Sequence, residues 1–314
     1  MRTAFAFAVW LSLTSAVCGQ VVQPFAKLEA PGALNFAVVC EGGERVVGVA
    51  GEHDVSVWSL PSGARRTIGG MKGHISPNGV ACNRLGMALG SNSGTVVIFD
   101  AGGVERCRIE LKGEVAALAF SADGSFLAAA TIYSPVQIWD LASGTLQWIG
   151  STDFGNTAGI RIAHDGNLIV VADGDTHVRG YDRKGKLLYT AEAGLLEPFD
   201  LSLSADGKTF AVAGAEGAIA LHGTATGKML KKSASCGNPI FALAMAPHGM
   251  KVIAFELDDF RMDPAGIAYW NPEGGELKNL TVDVKTLLGF GMGDKSLLLV
   301  RQEAPGKISV ESVE

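Results

Sequence analysis

Short apolar segments separated by glycine-containing turns recur along most of the chain. One complete unit contains four of these segments, at Val115–Ser121, Phe126–Thr131, Val136–Asp140 and Thr145–Gly150. Short apolar runs bounded by turn residues are typical of β-strands. The pattern therefore predicts an all-β protein built from four-stranded units.

A tight turn after the first strand of each unit sets the period. The clearest turns are Asp123-Gly124, Asp165-Gly166, Asp206-Gly207 and His248-Gly249, and more divergent ones fall at Gly43, Gly86 and Asp294. These residue types tolerate the positive φ that a hairpin turn requires. Markers at positions 43, 86, 124, 166, 207, 249 and 294 are separated by 43, 38, 42, 41, 42 and 45 residues. This spacing is that of a propeller blade, so seven markers predict seven blades.

The first strand of each unit alternates large and small side chains, most clearly at Phe241–Ala246. Alternation places the small residues on one face of the sheet. Neighbouring blades crowd together near the axis of a propeller, where small faces allow close packing. In this register Arg161 and Asp200 occupy neighbouring first strands, and we expect them to face each other.

The seventh unit lacks a fourth strand, because the chain ends soon after Ile308–Val313. Val21–Leu28 precedes the first unit and can supply that strand. Pairing of the two segments would join the first and last units and cover an exposed sheet edge.

The Trp139-Asp140 pair, the Ser-Ala-Asp-Gly turns at 121–124 and 204–207, and Gly73-His74 resemble WD repeats. The resemblance implies a seven-bladed β-propeller of four-stranded antiparallel blades, closed by the N-terminal strand. Only one unit has Trp-Asp and only one has Gly-His, so apolar packing must replace most of the polar network of that family. The implied function is binding of another molecule by a rigid scaffold.

The first residues have the order of an export signal, with Arg2, an apolar stretch from Ala4 to Leu13, and then small residues. We expect residues 1–19 to be a signal peptide and 20–314 a single domain, exported to the periplasm or secreted. An alternative makes Cys18 a lipidated cysteine, but Ser15-Ala16-Val17 departs from the usual lipoprotein pattern. No later segment is apolar and long enough to predict a transmembrane helix.

Charge and cysteine content restrict the partners further. The chain has 26 basic and 32 acidic residues, and loss of Arg2 with the signal would leave a net charge of 25 − 32 = −7. A mildly acidic protein is not expected to attract nucleic acid or anionic lipid nonspecifically. The four later cysteines, Cys40, Cys82, Cys107 and Cys236, are scattered, which favours buried single thiols over disulfides.

Motifs for catalysis are lacking. The sequence contains no close metal-ligand spacing, no Gly-x-Ser-x-Gly and no phosphate loop, so we predict no catalytic residue, metal or cofactor. One alternative is a lactonase-like hydrolase with a metal in its central channel, for which Asp173, Asp175 and the acids near Asp258 are the available ligands. Solvated surface acids are the favoured interpretation. Gly214–Leu221 and Thr226-Gly227-Lys228 resemble quinoprotein repeats without their tryptophan or cysteine pair, which leaves a noncatalytic relative as a further alternative.

The loops between second and third strands are the candidate binding site, because loops on one face of a rigid ring form a composite surface. The predicted partner-binding residues are His53, Tyr133, His177, Asp258, Asp259, Phe260 and Arg261. Phe260 and Arg261 are residue types that dominate binding hot spots. The rival interpretation is that Phe260 packs back onto its own blade. The expected partner is another protein or an extracellular ligand.

Overall fold

A computed structural model of the chain describes residues 16–17, 20–40, 42–132, 134–150, 157–245, 252–257, 264–274, 276–280, 286–292 and 296–313. The described residues form strands, turns and bends, with no helix among them. The prediction of an all-β chain is therefore confirmed for this part of the protein.

The described chain begins with β1 (Ala16–Val17) and β2 (Gln20–Glu29). Sheet one contains β3 (Phe36–Val39), β4 (Arg45–Ala50), β5 (Asp54–Ser59) and β6 (Arg65–Ile68). Sheet two contains β7 (Ile75–Asn83), β8 (Gly86–Ser91), β9 (Thr95–Asp100) and β10 (Glu105–Glu110). Sheet three contains β11 (Val115–Phe120), β12 (Phe126–Thr131), β13 (Gln137–Asp140) and β14 (Thr145–Ile149).

Sheet four contains β15 (Thr157–Ile162), β16 (Leu168–Asp173), β17 (His177–Asp182) and β18 (Leu187–Glu192). Sheet five contains β19 (Pro198–Leu203), β20 (Thr209–Gly214), β21 (Ile219–Gly223) and β22 (Met229–Lys232). Sheet six contains β23 (Ile240–Met245), β24 (Val252–Leu257), β25 (Pro264–Trp270) and β26 (Leu277–Leu280). Sheet seven contains β27 (Leu287–Met292), β28 (Leu297–Ala304) and β29 (Lys307–Val313), together with β2 and β1.

The N-terminal strand β2 completes sheet seven. It pairs antiparallel with β29, from Val22 opposite Val313 to Glu29 opposite Lys307. The order across the sheet is β1, β2, β29, β28, β27. The prediction that the N-terminal segment supplies the missing fourth strand is confirmed.

The first strand of each sheet, which we call its innermost strand, packs against the innermost strand of the next sheet. This holds from β3 through β27, and β27 in turn contacts β3. The approach of β27 to β3 is so close that a Cβ on Gly289 would collide with the backbone carbonyl of Ala37. The described sheets therefore repeat in a propeller-like arrangement.

Apolar side chains fill the space between neighbouring sheets. Ala128 and Ala130 of sheet three, for example, share one buried cluster with Ile160 and Ile169 of sheet four. Burial of this apolar surface is the main favourable contribution to folding. The expectation that apolar packing carries most of the contact between repeats agrees with these clusters.

The third strand of most repeats has an aromatic residue near its end, and side chains at this position make polar contacts between sheets. Trp58 of β5 is fully buried, and its Nε1 donates to the carbonyl oxygen of Glu29 in β2 at 3.0 Å. His222 occupies the equivalent position in sheet five, with Nε2 3.0 Å from the carbonyl oxygen of Ala193, just after sheet four. Burial lowers the pKa of His222, opposed by its two backbone carbonyl contacts. A side-chain N–H thus replaces part of the missing polar network.

A disulfide joins Cys40 to Cys82, with the two Cα atoms 5.0 Å apart. The expectation of single thiols is wrong for this pair. The two residues are one repeat apart, each near the end of an innermost strand, and the packing of β3 against β7 brings them together. Cys107 and Cys236 are half-buried thiols outside this bond.

Replacing Leu28 by Ala tests the contribution of β2. Leu28 is 2% exposed and lies in the cluster shared by sheets seven and one. We expect the variant to lose about 3 kcal/mol of unfolding free energy in urea titrations, because a buried leucine leaves a cavity. Gln23→Ala, at an exposed position of the same strand, should change it by less than about 0.5 kcal/mol. Equal effects of the two variants would contradict a stabilising role for this strand.

Removing the disulfide tests the link between sheets one and two. The bond spans 42 residues of sequence, for which the chain-entropy model gives about 4 kcal/mol of stabilisation. The Cys40→Ala/Cys82→Ala double variant should therefore unfold at much lower urea concentration, whereas Cys107→Ala should resemble the wild type. Mass spectrometry after alkylation without reductant provides a direct check. Alkylation of Cys40 and Cys82 in the native protein would refute the assignment.

Candidate functional site

A central cavity of about 1960 Å³ is lined by residues from all seven innermost strands. At one end the lining includes Asn35, Glu114 and Glu197, which precede innermost strands, and we call this the upper end of the cavity. At the other end it includes Asp123 and His164, in turns that follow innermost strands, and we call this the lower end. The loops between second and third strands lie at the upper end, because consecutive strands in each sheet are antiparallel.

A β-bulge recurs at the same place near the upper end of five innermost strands. The register shifts after the first residue in each case, between Val115/Ala117, Thr157/Gly159, Pro198/Asp200, Ile240/Ala242 and Leu287/Gly289. A bulge leaves one residue out of the pairing and redirects its side chain. The unpaired residues are Ala116, Ala158, Phe199, Phe241 and Leu288, and all five line the cavity.

The bulged residues divide the upper end into two parts. Ala116 and Ala158 are small, whereas Phe199, Phe241 and Leu288 are large. The rings of Phe199 and Phe241 stack with centroids 4.5 Å apart and planes inclined by 18°. Both rings are only half-buried. The cavity therefore presents aromatic surface to solvent on the side of sheets five and six.

Asp200 connects three neighbouring sheets below this aromatic pair. Its Oδ1 accepts from Nη2 of Arg161 at 3.0 Å and from the Leu201 amide at 2.8 Å, and its Oδ2 accepts from the Leu243 amide at 2.9 Å. Burial raises the pKa of Asp200, opposed by Arg161 and the two amides. The expected contact between Arg161 and Asp200 is confirmed. It places a compensated ion pair beside the cavity.

Asp173 and Asp175, the acids nearest to His177, form a second cluster with a basic residue, in which Oδ1 of Asp173 is buried without a hydrogen-bond partner among the described residues. Arg179, in β17, donates to both Asp173 and Asp175, reaching Oδ2 of Asp175 at 2.6 Å. Burial raises the pKa of Asp173 to about 6, and the charge of Arg179 opposes this shift. Nδ1 of His177 lies 2.9 Å from the carbonyl oxygen of Asp175. The guanidinium group thus bridges Asp173 and Asp175, the two carboxylates considered above as metal ligands.

The predicted partner-binding residues can be located only in part. His53 is exposed in the turn between β4 and β5, and His177 is half-buried at the start of β17. Neither is among the residues that line the cavity. The remaining predictions, at Tyr133, Asp258, Asp259, Phe260 and Arg261, lie outside the described residues.

Sequence reasoning missed the aromatic pair, although one signal was present. Phe199 and Phe241 each follow the first residue of an innermost strand, at positions where sheets three and four have alanine. Because the fold tolerates alanine at this position, sheet packing does not require a phenylalanine there. Only the bulges, which the sequence pattern does not show, turn these residues towards the cavity.

Comparison with protein families and with curated proteins finds no match to this chain. Among the described residues no group of three or more His, Cys, Asp or Glu side chains could hold a metal ion. The same residues include no helix with the length and apolar character needed to cross a membrane.

A double-mutant cycle tests the pair of Arg161 and Asp200. Arg161→Ala should lose about 3 kcal/mol of unfolding free energy, because the Asp200 side chain, only 5% exposed, is left without its ionic partner. Asp200→Ala leaves Arg161 with access to solvent, and its loss of about 1–3 kcal/mol should come from the two amides that lose their acceptor. The double variant should lose less than the sum. The exposed pair of Lys208 and Asp206, 3.7 Å apart, provides the control cycle, with an expected coupling below about 1 kcal/mol. Equal coupling in the two cycles would mean that Asp200 does not depend on Arg161.

Proposed function

We propose that this protein is an exported, WD-repeat-like seven-bladed β-propeller that binds another protein or an extracellular ligand at the upper end of its central cavity, without catalysis. The observation that carries the proposal is the cavity itself, into which five recurrent bulges direct apolar side chains. A half-buried aromatic pair that solvent can reach supplies the kind of surface that dominates binding interfaces.

Closure into a ring is part of the proposal. The contact of β27 with β3 and the pairing of β2 with β29 support it, because both bring the last sheet to the first. A closed ring would hold the loops at the upper end in fixed relative positions. Such preorganisation reduces the ordering cost of binding.

Export is supported by two independent features. The signal-like pattern of residues 1–19 directs the chain out of the cytosol, and a Cys40–Cys82 disulfide persists best in an oxidising compartment. Secretion and a periplasmic location are both compatible with these features. Lipid attachment at Cys18 is the less favoured alternative.

Binding is favoured over catalysis by the state of the buried acids. A general acid or base must be able to exchange a proton with substrate. Asp200 instead accepts three hydrogen bonds from Arg161 and two amides, and Asp173 and Asp175 are held by Arg179. These contacts favour structural roles. A lactonase-like hydrolase and a noncatalytic quinoprotein-like propeller remain the alternative hypotheses, and no contact described above favours either.

The loop residues predicted from the sequence belong to the same proposal. His53 and His177 lie on connections between second and third strands, at the end where Phe199 and Phe241 face the cavity. A partner that inserts an apolar group beside the phenylalanines would also meet these loops. We therefore retain Tyr133, Asp258, Asp259, Phe260 and Arg261 as proposed contacts.

Capture from native extract with matched variants tests this function. Wild-type protein on a solid support should retain a reproducible partner, and Phe199→Ala/Phe241→Ala should reduce its recovery roughly tenfold, as expected for hot-spot aromatics. Phe120→Ala is the control, because Phe120 lines the same cavity near its lower end. Melting temperatures establish that all variants are folded. Undiminished capture by the double variant would place the binding site elsewhere.

A further inference from the structure

Exposed apolar side chains are concentrated on the outermost strands of sheets three, four and five. In the described part of these strands six large apolar residues are exposed, with the exposed fraction given after each: Leu146 (40%), Ile149 (54%), Leu187 (44%), Leu188 (49%), Met229 (44%) and Leu230 (53%). We call these six residues of β14, β18 and β22 the apolar edge. Large apolar residues exposed together, rather than singly, indicate an interaction surface.

The repeat itself does not require apolar residues at these positions. In sheet one the two residues that open the outermost strand are Arg65 and Arg66, and in sheet two they are Glu105 and Arg106. All four are exposed. The same strand of the same fold is therefore built with polar residues elsewhere in the chain, so the apolar edge is not a packing requirement.

The three outermost strands are linked into one surface. Nε1 of Trp148, in β14, donates to the carbonyl oxygen of Arg183 in the turn before β18, at 3.0 Å. Tyr189 of β18 lies against Gly227, in the turn before β22, where an added Cβ would meet the ring at 2.6 Å. Sheets three, four and five are thus in contact close to the apolar edge.

Basic residues surround the apolar edge. The segments 183–192 and 224–232 contain the exposed cations Arg183, Lys184, Lys186, Lys228, Lys231 and Lys232. Arg183 donates to Oγ of Ser125 at 3.0 Å, Lys231 donates to the carbonyl oxygen of Pro272 at 2.7 Å, and Lys232 pairs with Glu216 at 3.2 Å. The charge available to a ligand is therefore that of Lys184, Lys186 and Lys228. The single acidic residue of the two segments is Glu192. The whole chain carries a formal net charge of −6, so these two segments are more basic than the chain as a whole. The net charge of the whole protein predicts no nonspecific attraction to anionic lipid. The local charge of this edge differs from that average, so the prediction does not apply to it.

We propose that the apolar edge docks on a lipid bilayer that contains anionic lipids. Lysine is depleted from protein–protein interfaces, whereas here five of the six cations are lysines. Lysine chains suit a bilayer, because their stems lie along apolar surface while the ammonium groups reach lipid headgroups. None of the apolar-edge residues lines the central cavity, so leucine and methionine side chains can enter the headgroup region without closing it.

Docking in this way leaves the proposed partner site accessible. Lys184 and Lys228 lie in turns between third and fourth strands, which are at the lower end of the sheets. Phe199 and Phe241 face the cavity near its upper end. The bilayer would therefore contact the lower outer part of sheets three, four and five and leave the upper end free.

Vesicle flotation tests the proposal with residues 20–314, which lack both Cys18 and the apolar stretch of the predicted export signal. We expect binding to vesicles of phosphatidylcholine mixed with phosphatidylglycerol, and weak binding to phosphatidylcholine alone. Leu187→Ser/Leu230→Ser should reduce the bound fraction at least roughly tenfold, and Lys186→Gln/Lys228→Gln should reduce it and weaken its dependence on salt. Arg65→Ser/Arg66→Ser, on the outermost strand of sheet one, is the matched control and should bind as wild type does.

Three results would overturn the proposal. The first is absence of wild-type binding to the anionic vesicles, and the second is wild-type binding by the Leu187→Ser/Leu230→Ser variant. The third is concentration-dependent dimerisation abolished by that same variant, since a second copy would then cover the edge. Retained vesicle binding by Phe199→Ala/Phe241→Ala would show that the edge acts independently of the cavity, so failure of either proposal can be recognised separately.

Discussion

The close approach of the innermost strands is the constraint on which the rest of the structure depends. Where β27 meets β3, no side chain fits between Gly289 and the backbone of Ala37. Where sheet four meets sheet five, Gly159 lies against Leu201 and Asp200. Small residues in this register allow neighbouring sheets to pack, and the apolar clusters between sheets follow from that packing. A charged residue at such a position must bring its own partners, as Asp200 does with Arg161 and two amides.

The same constraint explains where a binding site can form. On the face of an innermost strand that meets the next sheet, side chains such as Gly159 must be small, whereas large residues such as Ile160 and Leu201 pack against the preceding sheet. The bulges provide a third direction at the upper end, because they remove one residue from the ladder and turn it towards the cavity. Phe199 and Phe241 can therefore be large while Gly159 nearby cannot. Sheet packing therefore does not determine the residues at the upper end of the cavity, and these residues can be suited to a ligand.

Features set by the local pattern could be predicted from the sequence. The turn at Asp123-Gly124 and its equivalents marked the strands, the missing fourth strand of the last unit pointed to Val21–Leu28, and the register brought Arg161 to Asp200. Contacts between repeats that the alternating pattern does not mark could not be predicted. The Cys40–Cys82 disulfide and the link from His222 to Ala193 join positions that are local only in three dimensions. The bulges depend on a one-residue register shift to which apolar periodicity is insensitive. The predicted loop site is located only at His53 and His177, so its composition remains a hypothesis.

Departures of one repeat from the others separate the demands of folding from those of function. A position that is small or polar in some sheets and large and apolar in others is not determined by the fold, since the fold tolerates both. By this criterion the turn glycines and the buried alanines of the innermost strands serve folding, because their space or backbone conformation excludes alternatives. The phenylalanines at the upper end and the leucines of the apolar edge are not required for folding, and both groups expose apolar surface at a cost in solubility. Repetition within a single chain thus provides an internal comparison, in which each sheet is the control for the others.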